Sequence, residues 1–368
     1  MIKEVLLTSV CSPKQWKTIS SKDLTESGYP VFGANGIIGY YPEYTHKDPT
    51  VLITCRGATC GTINVSLPES YVNGNAMALD NLSDDVKLEY LKYYLEKRGL
   101  SDVISGSAQP QITRQNLKKV KIPLPPIDQQ KKIAAILDAA DAYRQKTKAL
   151  IKKYDELTQS LFLDMFGDPV TNPMGWEFKK LNELVSKLGD GIHGTPNYSE
   201  NGEYYFINGN NLHQGKIFID DKTKKVSEAE FLKHKKELNL NTVLVSINGT
   251  IGKVAFYNGE PVMLGKSACY FNLIEGVIGK SYLYYVLYSP YFIRYAGNQA
   301  TGSTIKNVSL KSMKNFPIPY PPINIQKQFA ERVQAIEAQK AQAEAGLAGA
   351  ENLFNSLLQR AFKGELTN

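Results

Sequence analysis

One eleven-residue stretch occurs twice in this chain and constrains its fold more than any other feature. The copies run from Leu124 to Ala134 and from Tyr320 to Ala330, at a constant offset of 196 positions. Each copy places a Pro-Pro pair directly before a long segment with helical periodicity. Proline is tolerated in the first turn of a helix because its missing N–H would have no partner there and its φ already suits a helix. Each half of the chain is therefore predicted to enter a long helix at its Pro-Pro pair.

The duplication extends beyond the Pro-Pro pairs in both directions. The only two tryptophans lie in matching Pro-x-x-Trp motifs that end at Trp16 and Trp176. Those motifs are 160 rather than 196 positions apart, so the second half carries 36 more residues before its Pro-Pro pair. A repeat of about 180 residues is too long for a solenoid and predicts a duplicated globular domain followed by a helix. Further matches are Gly106-Ser107 with Gly302-Ser303, Ala58-Thr59-x-Gly61 with Gly249-Thr250-x-Gly252, and Leu157–Phe166 with Leu353–Phe362.

The sequence divides into four segments by pattern. Residues 1–123 and 169–321 contain short β-branched and aromatic runs bounded by turn residues, which predicts two β-rich domains. Residues 124–168 and 322–368 are the two helical segments. The main predicted strands are Tyr29–Phe32, Ile37–Tyr41, Val51–Thr54, Thr62–Val65, Tyr204–Ile207, Thr242–Ile247, Val254–Tyr257 and Cys269–Leu273, and helices are predicted at Leu88–Lys97 and Lys280–Tyr295.

Both helical segments carry a seam of apolar or small residues with heptad spacing, which is typical of a coiled coil. An ordinary core helix is the alternative, but the length favours a coiled coil whose partner lies in the same chain. In the first segment the a positions are Ile133, Ala140, Thr147, Tyr154 and Leu161, and the d positions are Ile136, Tyr143, Leu150 and Leu157. The seam of the second segment is Phe329, Val333, Ile336, Ala343, Leu347, Ala350, Phe354 and Leu357.

Two such helices, each leaving its own domain, can pair antiparallel. The predicted fold is therefore of the α+β class: two β-rich domains separated by two long paired helices, placed at opposite ends of a rod and related by a pseudo-twofold. Gly346 and Gly349 interrupt the second helix. Because each glycine costs about 1 kcal/mol relative to alanine in a helix interior, we expect close packing of the two backbones, or a bound partner, to offset them.

Composition narrows the function class. Lys and Arg number 43 against 36 Asp and Glu, a net charge of +7 that favours an anionic partner, although many enzymes are equally basic. The cysteines at 11, 55, 60 and 269 lack the spacing of a zinc site and suggest reduced thiols in a cytosolic protein. No run approaches the roughly 20 apolar residues of a membrane span. The chain is predicted to be cytoplasmic, with no metal and no membrane partner.

The chain resembles the specificity subunit of type I restriction–modification systems. The residues that carry the resemblance are the Ile-Pro-x-Pro-Pro-x-x-x-Gln motifs ending at Gln130 and Gln326, the exit Phe166-Gly167-Asp168-Pro169, and Asn172-Pro173-x-Gly175-Trp176. The resemblance covers essentially the whole chain. It departs from the family at Ile325, where an acid or Gln is usual.

The resemblance implies a non-catalytic DNA reader and scaffold. Each β-rich domain would contact one part of a two-part double-stranded DNA target, and the helices would dock two methyltransferase subunits. Restriction and translocase subunits would join that complex. S-adenosylmethionine, ATP and Mg would belong to those partners, so no cofactor is expected on this chain.

Motifs for autonomous catalysis are incomplete. The amino-methyltransferase loop needs Asn or Asp, two prolines and an aromatic residue, and Asn172-Pro173-Met174 lacks the second proline and the aromatic residue. Gly265-Lys266-Ser267 resembles the end of a phosphate-binding loop, but Glu260 occupies the position of its first glycine. A carboxylate there would repel a phosphate. The chain is therefore predicted not to be an enzyme.

Candidate DNA-binding residues are polar side chains on predicted loops. Arg and Lys suit guanine, Asn and Gln suit adenine, and Ser and Thr adapt to either. The alternative for each Asn is a turn former, and for each Lys a solvated surface charge. The candidates are Asn35, Arg56, Thr59, Asn73, Asn75, Ser107, Gln109 and Gln111 in the first domain, and His193, Thr195, Asn210, Asn248, Lys253, Lys266, Ser303 and Lys306 in the second.

The resulting hypothesis is a subunit that reads an asymmetric target with unread bases between its two halves. Because a half-site recurs on one face of the duplex every helical turn, the half-site centres should lie about 34 Å apart. One alternative is the specificity subunit of a related system with a fused cleavage and methylation partner. Another is a coiled-coil adaptor that binds proteins and no DNA.

Overall fold

The computed structural model describes residues 3–106, 108–300 and 306–366. The chain divides into two units, which are residues 1–149 with 344–368, and residues 150–343. The boundary between the units falls inside both long helices. Across the described residues, every helix is either too short or too polar to cross a membrane.

The first unit contains strands, short helices and the start of the first long helix. Single 3-10 turns lie at Ser21–Asp23 and Ser101–Val103. The elements are β1 (Lys3–Leu6), α1 (Leu7–Val10), β2 (Ser12–Gln15), β3 (Tyr29–Gly33), β4 (Gly36–Tyr41), β5 (Val51–Thr54), β6 (Ile63–Val65), β7 (Tyr71–Val72), β8 (Ala76–Asp80), α2 (Leu88–Arg98), α3 (Arg114–Leu117), β9 (Lys121–Leu124) and α4 (Ile127–Phe166).

The strands of the first unit form three small sheets. The largest has the order β2-β8-β5-β6, and all its pairings are antiparallel. A second sheet has the order β4-β3-β7, with β3 and β7 parallel. Strand β1 pairs with β9, the strand that leads into the first Pro-Pro pair. Every residue of β5 is buried, because this strand lies between two others and its apolar side chains enter the domain core.

The second unit contains the remaining elements, and the last of them, α10, continues into the first unit after residue 343. A 3-10 turn lies at Gly209–Asn211. The elements are β10 (Phe178–Lys180), α5 (Leu181–Leu184), β11 (Val185–Gly189), β12 (Tyr204–Ile207), β13 (Leu212–His213), β14 (Lys216–Ile217), β15 (Lys225–Val226), α6 (Glu228–His234), β16 (Thr242–Ser246), β17 (Val254–Phe256), β18 (Val262–Leu264), β19 (Ala268–Leu273), α7 (Lys280–Tyr288), α8 (Pro290–Gln299), α9 (Leu310–Lys314), β20 (Pro317–Pro319) and α10 (Ile323–Phe362).

The second unit repeats the topology of the first. Its largest sheet has the order β11-β19-β16-β17, its next sheet has β15-β12-β18 with β12 and β18 parallel, and β10 pairs with β20. Its additional residues include the β13–β14 hairpin and α6, which lie between β12 and β16. The fully described segment between β3 and β5 holds only β4. The predicted α+β fold with internal duplication is confirmed.

The two long helices pair antiparallel. In the first unit, Ile133 and Leu137 near the start of α4 share a buried cluster with Phe354 and Ala361 near the end of α10. Lys148 of α4 also forms an ion pair with Glu351 of α10 at 3.1 Å.

The second unit shows the same pairing with the ends exchanged. Phe162 and Phe166 near the end of α4 pack against Phe329 near the start of α10, with ring centroids 5.8 and 5.2 Å apart. Lys340 Nζ of α10 forms an ion pair with Asp155 Oδ1 of α4 at 2.6 Å. The predicted antiparallel coiled coil is thus present in both units.

Three of the predicted d positions of α4 are wrong. Tyr143, Leu150 and Leu157 are 57%, 42% and 50% exposed. The seam instead combines the predicted a positions with residues four positions later, which include the buried Leu137 and Thr158. Apolar residues stand both three and four positions after Ile133 and after Thr147, so periodicity alone could not choose between two adjacent stripes. The seam predicted for α10 is buried or half-buried throughout.

Two further predictions about helices need correction. Of the two explanations expected for Gly346 and Gly349, close packing within the chain is wrong, because a Cβ added at either position would meet nothing within 4 Å, and a bound partner stays a prediction. The predicted helix from Lys280 to Tyr295 is broken into α7 and α8 at Ser289-Pro290. Pro290 has no N–H to continue the first helix but suits the first turn of the second.

Candidate nucleic-acid interface

In the first unit, three separate loops meet at one edge of the domain. They are residues 55–62 between β5 and β6, residues 73–75 between β7 and β8, and residues 105–106 with 108–111. The Cys55 N–H donates to the Asn75 carbonyl at 3.1 Å, the Ile112 N–H donates to the Cys55 carbonyl at 3.0 Å, and the Gly57 N–H donates to the Pro110 carbonyl at 3.1 Å. These backbone bonds fix the three loops relative to one another. We call this surface the first recognition edge.

The second unit builds the same edge from the matching loops. Residues 247–253 lie between β16 and β17, and residues 265–267 between β18 and β19. The Ile247 N–H donates to the Ser267 carbonyl at 3.1 Å, the Val308 N–H donates to the Ile247 carbonyl at 2.8 Å, and the Gly249 N–H donates to the Lys306 carbonyl at 3.0 Å. The three connections of the first unit therefore recur. We call this surface the second recognition edge.

Glycines allow the two matching hairpin loops to turn. Gly57 and Gly61 have φ values of 88° and 94°, and Gly249 and Gly252 have 72° and 90°. Side chains with a Cβ rarely adopt such values, whereas glycine does so at little cost. The short Thr-x-Gly match between these loops therefore reflects the same backbone turn in both domains.

Most candidates of the first domain lie together on the first recognition edge. Thr59 Oγ1 donates to Asn35 Oδ1 at 2.7 Å, which adds the turn between β3 and β4 to this surface. Arg56 and Gln111 face each other in an isolated antiparallel bridge. The exposed candidates are Asn35, Arg56, Thr59, Asn75, Gln109 and Gln111. Ser107 lies outside the described residues.

Asn73 does not belong to this exposed set. It is 3% exposed, and its Oδ1 accepts the N–H groups of Ile19 at 3.1 Å and Gly74 at 2.8 Å. Its Nδ2 donates to the Ile19 carbonyl at 3.2 Å. Both polar atoms of its side chain are thus used within the domain, so Asn73 shapes the edge and presents nothing to a ligand.

The candidates of the second domain lie on two neighbouring parts of the second recognition edge. The Ile192 N–H donates to the Leu264 carbonyl at 2.9 Å, which places the loop that carries His193 and Thr195 beside the turn that carries Lys266. His193 Nε2 contacts Asp190 Oδ2 at 2.9 Å and its side chain is 64% exposed. Thr195, Asn210, Lys266 and Lys306 are exposed, and Asn248 and Lys253 are half-buried. Ser303 lies outside the described residues.

Four cationic side chains on these edges form no ion pair with any other described residue. They are Arg56, Lys253, Lys266 and Lys306. The charge of a cation without a neighbouring carboxylate is not screened locally, and Lys and Arg are the side chains that neutralise nucleic-acid phosphates. The arrangement can therefore hold a nucleic-acid backbone while amides and hydroxyls reach bases.

Sequence reasoning missed two features of the edges. In the first unit, the exposed Lys17 and Thr18 lie next to the turn at Gly74, where an added Cβ would come within 2.4 Å of Thr18 Oγ1. In the second unit, Ser267 Oγ donates to Asn208 Oδ1 at 3.0 Å and accepts the Gly209 N–H at 2.9 Å. The run of turn-forming residues from Asn208 to Asn211 was the available signal for the second feature.

The buried thiols are poor nucleophiles. Burial raises the pKa of the Cys11 thiol to about 12 and also raises the pKa of Cys55. A thiolate is the reactive form of cysteine, so both thiols are held in their unreactive form near neutral pH. Within the described ranges, no three His, Cys, Asp or Glu residues are grouped as metal ligands.

The fold and the two edges define a duplicated α+β protein that presents two sets of polar and cationic loops. The sequence profile of one family matches residues 2–158 and 173–348, and this family is described as "Type I restriction modification DNA specificity domain". The chain belongs to this family, as the resemblance of its motifs predicted. It is a specificity subunit of the type I class, a DNA-recognition protein without catalytic activity of its own.

Similar proteins span most of the chain. The type I restriction enzyme MjaVIII specificity subunit of Methanocaldococcus jannaschii is 24% identical over 331 residues, covering 82% of this chain and 77% of the relative. The EcoKI specificity subunit of Escherichia coli is 25% identical over 334 residues, covering 84% and 69%. A crystal structure of an S subunit from M. genitalium superposes with a TM-score of 0.64 at 16% identity, covering 98% of this chain and 95% of that one. The last comparison supports the fold alone.

Proposed function

We propose that this chain reads a bipartite, asymmetric DNA target, with each domain reading one part and unread bases between them. The observation that carries the proposal is the pair of recognition edges. The same three backbone connections recur in both domains, yet the side chains they hold differ: Arg56 and Gln111 in the first correspond to Asn248 and Asn307 in the second. Because unlike side chains recognise unlike base edges, the two half-sites should differ.

The exposed and half-buried candidates divide into two roles within this proposal. Asn35, Arg56, Thr59, Gln109, Gln111, Thr195, Asn210 and Asn248 are the proposed base contacts, with Asn75 and His193 beside them. Lys253, Lys266 and Lys306 are the proposed phosphate contacts, which set position without reading sequence. Ser107 and Ser303 remain in the proposed set as members of the repeated Gly-Ser loops.

The proposal assigns residues 1–123 and 169–321 to target recognition and residues 124–168 and 322–368 to assembly. The helical segments would dock two methyltransferase subunits, and restriction and translocase subunits would join through them. Leu150 and Leu157 of α4 support this role, because they expose apolar side chains on a stripe of the helix beside its seam. S-adenosylmethionine, ATP and Mg would be bound by those partners, and the complex would act on DNA in the cytoplasm.

Sequencing of methylated sites tests the proposal in cells that express this chain together with its methyltransferase partner. The expected result is one motif with two unlike groups of specified bases and a fixed run of unspecified bases between them. A continuous palindrome would contradict the proposal. In a parallel binding experiment, affinity for DNA should fall steeply between two salt concentrations. Affinity that is independent of salt would favour a protein-binding adaptor.

A further inference from the structure

One buried glutamine connects the first domain to the first turn of α4. Gln130 is 0% exposed. Its Oε1 accepts the N–H of Lys87, the N-cap residue directly before α2, at 2.9 Å. Its Nε2 donates to the Asp85 carbonyl at 2.8 Å and to the Pro125 carbonyl at 2.9 Å. A single side chain thus binds the domain, the Pro-Pro pair and the long helix.

The matching glutamine makes the matching connection in the second unit. Gln326 is also 0% exposed. Its Oε1 accepts the N–H of Gly279, the N-cap residue directly before α7, at 2.7 Å, and its Nε2 donates to the Pro321 carbonyl at 2.8 Å. We call Gln130 and Gln326 the junction glutamines. Their equivalent bonds are two independent occurrences of one arrangement.

A tyrosine hydroxyl strengthens each junction one turn further along the domain helix. Tyr90 of α2 donates to the Pro123 carbonyl at 2.9 Å, and Tyr282 of α7 donates to the Pro319 carbonyl at 2.6 Å. Burial raises the pKa of both phenols, so the hydroxyls remain protonated donors. The two acceptors occupy equivalent positions of β9 and β20. Each domain helix is therefore fixed to its junction at two points.

These contacts are directional, which distinguishes them from the apolar core. A hydrogen bond weakens steeply when its angle departs from linearity, whereas apolar burial tolerates sliding and rotation. A buried amide that keeps all its bonds therefore favours one orientation of the domain on its helix. Losing the side chain would leave the Lys87 or Gly279 N–H without that acceptor.

We infer that Gln130 and Gln326, supported by Tyr90 and Tyr282, are positioning residues that hold each domain at one orientation on its own long helix and thereby limit the spacer lengths that the chain accepts. This inference rests on the proposed bipartite function. Adding one base pair to a spacer moves the second half-site about 3.4 Å along the duplex and about 34° around it. When each domain is held at one orientation on its long helix, the chain rejects that displacement. Domains whose junctions are loosened accept it while still reading the same bases.

The experiment uses the chain in complex with its methyltransferase partner. DNA duplexes carry both half-sites with the spacer shortened or lengthened by one or two base pairs, and affinity is measured for the wild-type chain and for the double variant Gln130→Met, Gln326→Met. The expected result is unchanged half-site bases and a preference for the best spacer that falls about tenfold, roughly the loss of one net hydrogen bond. A double variant with the wild-type spacer preference would overturn the inference and leave the proposed function intact.

A milder pair of variants keeps the test decisive if the glutamine variant does not fold. Tyr282→Phe removes only the hydroxyl at the junction. Tyr295→Phe removes a hydroxyl that donates to the Ser312 carbonyl at 2.8 Å, away from the junction. Tyr282→Phe should widen the range of accepted spacers, and Tyr295→Phe should not. Equal behaviour of the two variants would overturn the inference, and a wild-type complex without a two-part target would overturn the proposed function as well.

Discussion

The two domains are most alike at their backbones and least alike at their exposed edges. The same three loop-to-loop hydrogen bonds are present within each of the two recognition edges. Each junction glutamine also accepts the N–H of the residue directly before α2 or α7. The side chains on those loops differ, and the second domain contains the β13–β14 hairpin and α6, which have no counterpart between β3 and β5 of the first domain. The two copies therefore share the backbone hydrogen bonds that hold the loops and differ in the side chains that would contact DNA.

The largest expected effect is a loss of stability that differs between variants of the two junction glutamines. Gln130 makes three hydrogen bonds and Gln326 makes two. Gln130→Met should lower the free energy of unfolding by about 3 kcal/mol and Gln326→Met by about 2 kcal/mol, because each leaves a buried N–H without an acceptor. Thermal unfolding of the two variants shows which one loses more stability. A larger loss in Gln326→Met would contradict the comparison.

A second effect distinguishes matching positions of the two edges. Ser267 and Asn75 stand at equivalent places, but among the described residues only the Ser267 side chain bonds within its domain, to Asn208 and Gly209. Ser267→Ala should therefore cost about 1–2 kcal/mol of stability. Asn75→Ala should change stability by no more than about 0.5 kcal/mol, as is usual for an exposed side chain. Denaturant titration compares the variants, and equal losses would show that the two positions play the same structural role.

A third prediction concerns the charge on the second recognition edge. Lys306 is exposed and forms no ion pair within the described part of the chain. Lys306→Ala should weaken binding to all DNA sequences alike and reduce the slope of log affinity against log salt by about 1. Lys222→Ala, which removes an exposed lysine outside the loops of that edge, is the matched control. A base-specific loss in Lys306→Ala would assign this lysine to readout instead of phosphate contact.

The smallest expected effect is a change in stability from alanine and glycine substitutions in α10, the long helix that contains glycine. A Cβ at Gly349 of α10 would meet open space, whereas α4 has no glycine along its length. Gly349→Ala should stabilise the isolated chain by up to about 1 kcal/mol, and the reverse change Ala348→Gly should destabilise it by a similar amount. Unfolding measurements on both variants test this. A loss of stability in Gly349→Ala would show that this glycine serves packing after all.

Local patterns predicted the elements of this fold better than their contacts. The strands around Val51–Thr54 and Thr242–Ser246 follow from β-branched runs between turns, and the α10 seam follows from its spacing. The α4 seam was partly mispredicted because two apolar stripes run side by side on that helix. Asn73 was misplaced because a turn-forming asparagine looks the same in sequence whether it faces solvent or the core. Gln130 was visible only as part of a motif, since its partners at Asp85 and Lys87 are distant in sequence.

The separate recognition of two half-sites by two edges is the central claim, and selection from randomised DNA with two single variants tests it most directly. Arg56 lies on the first recognition edge and Asn248 on the second. Arg56→Ala should relax specified bases in one half of the selected motif, and Asn248→Ala should relax bases in the other half, each by about 1–3 kcal/mol. If both variants relax the same bases, the two edges do not read separate half-sites.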